Sequence, residues 1–325
     1  MTPSVSYERV SVVIPVLNSE KTIGAVVDET VHALERENLS PEIILVNDGS
    51  HDNSHEEALK AVARFPSSVK YLRLSKNFGE HNAVMCGLKH ASGDCVVILD
   101  DDFQNPPAEI RKLLAKLKEG FDVVYGRYEV KHHAWPRNFV SIINGWFAAF
   151  LLGKPAGLYL SSFKIMNAFT VKAITAYEGP FSYVDGLILR STDSIGQVVC
   201  EHATRKASHS NYTWWKLFLL WLNMFTGFSV APLRLASLTG FVLSLTGLAL
   251  SVLFIISKCT GGVFIINQIP TGWASLIVCV TFFSGFQLLV LGILGEYLGR
   301  LFLTVNRMPQ FVIRDASGKG HERER

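Results

Sequence analysis

Three aspartates in a row, Asp100, Asp101 and Asp102, follow the apolar run 95–99, and another acid, Asp48, closes the apolar run 43–47. Adjacent carboxylates repel one another, so the triplet is a costly choice for a simple solvated turn. A divalent cation relieves that repulsion. Carboxylates beside an amide oxygen, here Gln104, form the hard oxygen set that Mg²⁺ or Mn²⁺ takes. A cation held by only one or two carboxylates completes its shell from a substrate's phosphates, which points to a diphosphate whose charge must be neutralised. A third run, 10–15, leads into Pro15-Val16-Leu17-Asn18, and the second into Asn47-Asp48-Gly49-Ser50, an acid followed by turn residues.

These clusters are useful only if the chain places them together. Strand-like runs are predicted at 10–15, 43–47, 69–74, 95–99 and 122–126, with helix-compatible stretches at 22–37, 53–64, 81–90 and 107–119 between them. Several of the strands are continuously apolar, as in sheets covered on both faces. The alternation predicts an open, mostly parallel α/β sheet, in which ligands bind beyond the carboxyl ends of the strands. Pro107 suits the first position of its helix. Residues 316–325 read as an unstructured polar tail.

The second half of the chain is different. Residues 235–257 and 273–295 are two apolar runs almost free of charge, each long enough to cross about 30 Å of hydrocarbon. They account for a mean hydropathy of +0.25 and predict a two-helix transmembrane hairpin. Small residues in the first run (Gly240, Ser244, Gly247) permit close helix approach, within the hairpin or between copies of a homo-oligomer. Arg205, Lys206, Lys216 and Arg234 precede the pair and Arg300, Arg307 and Arg314 follow it, whereas the intervening loop carries only Lys258. The positive-inside rule then puts both termini in the cytoplasm. Aromatic-rich segments at 139–152 and 212–234 suit helices lying in the headgroup layer. Ordinary core packing is the alternative for the first, and a third span for the second. A third span would carry Arg300, Arg307 and Arg314 outside, against the charge rule. The expected organisation is a cytoplasmic catalytic domain (1–211), an interfacial segment (212–234), the hairpin (235–299) and a basic cytoplasmic tail (300–325).

Other chemistries are excluded or disfavoured. A net charge of +3, from 31 basic and 28 acidic residues, is too small to argue for nucleic acid. The five cysteines form no CxxC pair and read as reduced thiols at apolar positions. His132-His133 lacks a second ligand pair at zinc spacing. Neither GxxxxGK[ST] nor GxGxxG is present.

The ordered set of motifs resembles the family-2 glycosyltransferases, in the branch that transfers sugar to polyprenyl phosphate. The resemblance rests on Val13-Ile14-Pro15-Val16-Leu17-Asn18, Asn47-Asp48-Gly49-Ser50, Asn77-Phe78-Gly79-Glu80-His81-Asn82-Ala83, the Asp-x-Asp pair Asp100 and Asp102, Gln104-Asn105-Pro106-Pro107, Gly126-Arg127, His202-Ala203-Thr204-Arg205, Ser210-Asn211-Tyr212 and Gly295-Glu296-Tyr297-Leu298-Gly299-Arg300. It departs from the family at Ser19, where a glutamate is usual, and at Lys164, where many relatives have arginine and its bidentate fork.

The resemblance implies a GT-A-type, Rossmann-like nucleotide-sugar domain and inverting, metal-dependent transfer to undecaprenyl phosphate at a bacterial inner membrane. The donor would be a nucleoside-diphosphate sugar, most often a UDP-sugar. It implies donor contacts from Pro15, Leu17, Asn18, Asp48, Asn77, Asp100 and Asp101, and a metal held by Asp102 and Gln104 with Asp100 in support. The acceptor phosphate would be bound by Arg127, Arg137, Lys164, Arg205, Ser210 and Tyr212, and Asp100, Asp102 and Arg127 would carry the reaction. Two rivals remain. A processive polysaccharide synthase would carry Gln-x-x-Arg-Trp and more spans, and neither is found. A non-catalytic nucleotide-sugar-binding partner would have no use for the aspartate triplet.

Overall fold

A computed structural model of the chain describes residues 6–128, 157–179, 182–201, 236–243, 273–306 and 308–318, together with single positions 155, 233, 245, 246 and 249. The expected interfacial segment 139–152, all of 212–234 but Leu233, most of the run 235–257, and Arg137, Arg205, Ser210 and Tyr212 lie outside the described residues. The chain divides into two units, Met1–Trp214 with Arg307–Arg325, and Trp215–Asn306.

The first unit is built on an eight-stranded sheet. Its elements run β1 (Arg9–Val16), α1 (Ile23–Arg36), β2 (Ser40–Asn47), α2 (Ser54–Arg64), β3 (Val69–Leu74), α3 (Glu80–His90), β4 (Cys95–Ile98), a single 3₁₀ turn (Pro107–Glu109), α4 (Ile110–Leu117), β5 (Val123–Tyr128), β6 (Lys164–Asn167), α5 (Ala168–Thr175), α6 (Val184–Ser191), β7 (Ile195–Cys200) and finally β8 (Ile313–Ser317). The spatial order is β7-β5-β6-β4-β1-β2-β3-β8. Strands β1 to β5 and β7 point one way, while β6 and β8 run against them. The mostly parallel sheet expected from the apolar runs is therefore present, as a mixed sheet. The five expected strands and four expected helical stretches all occur, within a few residues of their expected bounds.

The pattern of burial explains the layers. Val10, Val12, Ile14 and Val16 of β1 alternate toward one face, where Ile23, Val26, Val27, Val31 and Leu34 of α1 and Ile110, Leu113, Leu114 and Leu117 of α4 cover them. These helical positions recur every three or four residues, the spacing of one helix face. The opposite face takes α3, α5 and α6. Gly87 lets α3 approach β1 closely: a Cβ there would stand 2.3 Å from Val13 Cγ1. Cys86, Cys95 and Cys200 are free and buried, and burial pushes each thiol up to about 12.

In the second unit, α7 spans Trp273–Val305, about 50 Å at 1.5 Å per residue. Its part Phe283–Val305 has a mean hydropathy of 1.7 and is the one helix among the described residues long and apolar enough to cross a membrane. Leu276, Val280, Leu288, Leu291, Leu298, Leu301, Phe302 and Val305 are exposed along it. Residues 236–243 are helical too, and a Cβ on Gly240 would lie 4.0 Å from Phe286 of α7. The C-terminal end differs from expectation: α7 continues to Val305, and Ala316 and Ser317, expected in an unstructured tail, pair with Leu72 and Tyr71 in β8. A short polar strand at a sheet edge carries no periodic apolar signal.

Glu42 shows what holds the sheet at the other end. Its side chain is buried and accepts hydrogen bonds from Ser11 and from the backbone and hydroxyl of Ser92, while Arg9 at 3.0 Å and Lys70 at 2.8 Å pair with it. Burial alone would raise its pKa, but Lys70, Ser11 and Ser92 reverse that and bring it down to about 2. The resulting stability is complete above the ordinary value of 4.5 and is lost as pH falls toward 2. Glu42→Gln is expected to cost on the order of 2 kcal/mol at neutral pH, since Arg9 keeps much of its hydration. It should also flatten the acid limb of a Tm-against-pH curve. A cost unchanged between pH 7 and pH 3 would contradict this account.

Candidate active site

Strand order reverses between β1 and β4: the chain moves from β1 through β2 to β3, then returns to the other side of β1. Such a switch point leaves a crevice outside the carboxyl ends of the two strands. The segment after β1 carries Leu17, Asn18 and Ser19, and the segment after β4 carries Asp100, Asp101 and Asp102. The structure thus brings together the two clusters that the sequence singles out. Asp101 Oδ2 accepts from Leu17 N at 3.3 Å and from the Ser19 hydroxyl. Ser19 therefore links the two strand ends.

Each aspartate has its own setting. Asp100 accepts from Asn105 Nδ2 at 3.0 Å and from the Ser162 hydroxyl. Asn105 is buried and in turn accepts from Tyr128 Oη. Asp102 Oδ1 accepts from Gln104 N at 3.0 Å, with Phe103 between them in the left-handed region at φ 62°. Burial raises the pKa of Asp100, and the charge of Asp102 adds to this against the bonds from Ser162 and Asn105. Asp101 is pushed up to about 6 by burial, with Asp100 and Asp102 contributing and the bonds from Ser19 and Leu17 opposing.

Asp48 is only 2% exposed, and both of its oxygens are engaged. Oδ1 accepts from Phe78 N at 2.7 Å and Oδ2 from Gly79 N at 2.9 Å. Its carboxylate holds the Asn77-Phe78-Gly79 loop in shape. Gly49 (φ 74°) makes the approach possible, since a Cβ there would stand 2.7 Å from Asn77 N. Asn77 itself is exposed, and its Oδ1 accepts from Gly79 N at 3.1 Å. Asn18, also left-handed at φ 55°, donates its N–H to Ser50 Oγ at 3.0 Å and accepts from His51 N at 2.9 Å. Pro15 is half-buried at the end of β1, and Leu17 is exposed.

Because β6 runs antiparallel, its first residue, Lys164, meets Ile98 at the carboxyl end of β4 and Tyr125 within β5. Lys164 is 3% exposed, and its Nζ pairs with Asp185 at the start of α6, whose Oδ1 also accepts from Tyr125 Oη at 2.8 Å. Its charge is balanced within the protein, unlike that of an arginine open to an incoming phosphate. Arg127 is exposed on β5. Its neighbour Tyr128, on the opposite face of the strand, is the β5 residue that reaches the aspartates through Asn105. Sequence reasoning did not single out Ser19, Ser162, Tyr125, Tyr128, Asp185 or Glu80 as site residues. Ser19 follows the Val13–Asn18 motif, Glu80 lies inside the Asn77–Ala83 motif, Tyr125 and Tyr128 flank Gly126-Arg127, and Ser162 stands two residues before Lys164, whereas Asp185 stood next to no signal.

Residues 11–170 match the family described as Glycosyl transferase family 2. An undecaprenyl-phosphate 4-deoxy-4-formamido-L-arabinose transferase of Proteus mirabilis (strain HI4320) is 32% identical over 311 residues, covering 95% of this chain and 94% of that protein. One of the same description from Enterobacter sp. (strain 638) is 30% identical over 320 residues, covering 98% and 97%. The chain belongs to glycosyl transferase family 2. Among solved structures, glucosyl-3-phosphoglycerate synthase of M. tuberculosis is 23% identical with a TM-score of 0.47, over 65% of this chain and 75% of that one. A complex of the Mycobacterium tuberculosis enzyme with Mn²⁺, UDP and glucosyl-3-phosphoglycerate gives a TM-score of 0.45 at 20% identity, over 67% and 76%.

The glycosyltransferase has one further acid at this crevice. Glu80 opens α3, and although much of the residue is open to solvent, its carboxyl end is crowded by protein. That loss of hydration, then repulsion by Asp100, pushes it up to about 7 against the pull of Lys164. In the unfolded chain it ionises near 4.5. The folded state therefore loses stability as pH rises from about 4.5 to about 7, and no more beyond. Glu80→Gln is expected to gain in Tm over the unsubstituted enzyme across that window and to hold the gain above it, measured in EDTA. A Tm difference independent of pH between 4.5 and 8 would show the carboxyl to titrate normally.

Proposed function

We propose that this glycosyltransferase moves a monosaccharide from a nucleoside-diphosphate sugar, a UDP-sugar first among them, to undecaprenyl phosphate, with inversion at the anomeric carbon. The observation that carries the reading is the convergence of Asp100, Asp101 and Asp102 with the Leu17-to-Ser19 segment at the strand-order switch. Full-length similarity to transferases described as acting on undecaprenyl phosphate supports the acceptor.

A divalent cation fits the donor set. The candidate ligands Asp100, Asp102 and Gln104 all offer hard oxygens, and burial, with the neighbouring carboxylates adding to it, raises the pKa values of Asp100 and Asp101, so a cation there would favour their ionised forms. Among the described residues, no group of three or more His, Cys, Asp or Glu side chains is arranged to hold a metal. Mg²⁺ or Mn²⁺ would be held by Asp102 and Gln104 with Asp100, and would neutralise charge on the departing diphosphate.

The chain's own residues do the rest. Asp101 and Ser19 fix the two strand ends that flank the donor, and Asp48 shapes the loop carrying Asn77. Pro15, Leu17 and Asn18 line the same side. A phosphate acceptor is already ionised near neutral pH, so the task is to bring two anions together in line rather than to remove a proton. Arg127, with Arg137, Arg205, Ser210 and Tyr212, is assigned to the acceptor phosphate. Lys164, the remaining candidate for the acceptor phosphate, pairs with Asp185.

The exposed apolar length of α7 suits hydrocarbon. We assign it, with the run 235–257, to a membrane hairpin in the bacterial inner membrane. The catalytic domain (1–211) and both termini are cytoplasmic, and 139–152 and 212–234 lie in the headgroup layer.

The test is transfer in detergent, offering undecaprenyl phosphate and a panel of UDP- and GDP-sugars with Mg²⁺ or Mn²⁺. A metal-dependent lipid-linked sugar from one donor is expected. Asp102→Asn should lower that rate about 100-fold or more with Tm little changed. Absence of product across the panel, from protein that still binds Mn²⁺ and UDP, would overturn the catalytic reading in favour of a binding partner.

A further inference from the structure

Residues 308–318, which follow the apolar helix in the chain, contact Ser75 and Gly179, two positions that precede residues at the crevice. β8 lies antiparallel on β3, with a shift in register between Arg73 and Leu74. Immediately beyond it, Ser75 N donates to Val312 O at 2.9 Å. Ser75 begins the stretch that leads to Phe78 and Gly79, the amides that hold Asp48. The second position is reached by Gln310, whose Nε2 donates to Gly179 O at 3.1 Å. From Gly179 the chain passes to Ser182, bonded to Asn82 Oδ1 at 2.5 Å, and to Tyr183, whose ring meets His81 edge-on at 5.0 Å. It then reaches Asp185, the partner of Lys164. Between the two anchor points, Phe311 lies under Lys89 Nζ, 5.5 Å from the ring centroid.

Gln310 is a poor choice for packing alone. It is 5% exposed, and its Oε1 has no hydrogen-bond partner among the described residues. A buried acceptor left unpaired costs stability, and an apolar side chain of the same length would avoid that cost. What an apolar side chain could not do is donate to Gly179 O.

We propose that Gln310 is a positioning residue of the donor site. Through Gly179 it sets the entry to α6, while the adjoining Val312 sets the exit of β3, so one short segment fixes both the Lys164–Asp185 pair and the loop that Asp48 braces. The proposal rests on the reading of the crevice as the nucleotide-sugar site.

Gln310→Met keeps the length, loses the donor and removes the unpaired oxygen. The expected result on the full-length enzyme is a Tm unchanged or raised, together with about a tenfold or greater fall in kcat/KM for the donor sugar. UDP binding in the presence of Mn²⁺ should weaken, and amide hydrogen exchange at 182–185 should speed up while that of β1 and β2 stays as it was. A lowered Tm with kcat/KM and local exchange unchanged would make Gln310 a packing residue and overturn the proposal, as would no change in any of these quantities. If the unsubstituted enzyme transfers from no donor and binds no UDP, the crevice reading fails. Faster exchange confined to 182–185 would then show the loop to be held by Gln310 but would still overturn its role in a donor site.

Discussion

The burial of carboxylates close to one another is the constraint around which the first unit is arranged. Asp100, Asp101, Asp102 and Glu80 share one crevice, and Lys164, whose charge acts on Glu80 and Asp100, is balanced by Asp185. The protein counters the repulsion with neutral donors: hydroxyls of Ser19 and Ser162, the amide of Asn105, and backbone N–H groups of Leu17 and Gln104. Neutral donors orient a carboxylate without supplying charge. Burial first, and the neighbouring carboxylates after it, raise the pKa values of Asp100, Asp101 and Glu80. A site of this kind is unfinished until something positive arrives, and it holds its oxygens ready for that arrival at a cost in stability.

Topology makes the arrangement possible. A parallel sheet delivers strand ends on one side only, and the reversal of order between β1 and β4 opens a gap there. The antiparallel strand β6, set between β4 and β5, then brings an amino end to the same side, carrying Lys164 and, just before it, Ser162. With six strands in one direction, a side chain that must meet the aspartates from their flank comes most directly from a strand running the other way. The same logic holds at the far edge, where β8 reverses along β3 and brings Val312 and Gln310 toward the crevice loops.

What could be read from the sequence follows the range of the forces involved. Strands β1 to β5 and helices α1 to α4 announce themselves by apolar period, because each buries a face within its own length. Asp48 and the aspartate triplet were legible because they close apolar strands. The partners were not. Ser162 and Asp100 are 62 residues apart, and Gln310 and Gly179 are separated by 131. Such contacts leave no local pattern, and short polar elements such as β6 (KIMN) and β8 (IRDAS) leave almost none. Asp48 shows the limit from the other side: its type and place were visible, yet that both oxygens brace a neighbouring loop depends on Phe78 and Gly79 amides 30 and 31 residues away.

The composition of β8 then makes physical sense. An edge strand of continuous apolar residues would invite pairing with another chain, so edges are kept short and charged. Ile313 to Ser317 meets that need with Arg314 and Asp315, the latter 3.6 Å from Arg73 on β3. The charges that protect the edge also hide the strand from any reading based on hydrophobic period. A segment that looks like a solvated tail can therefore be the piece that closes the sheet. Its pairing partner, β3, is the strand that leads to the loop braced by Asp48.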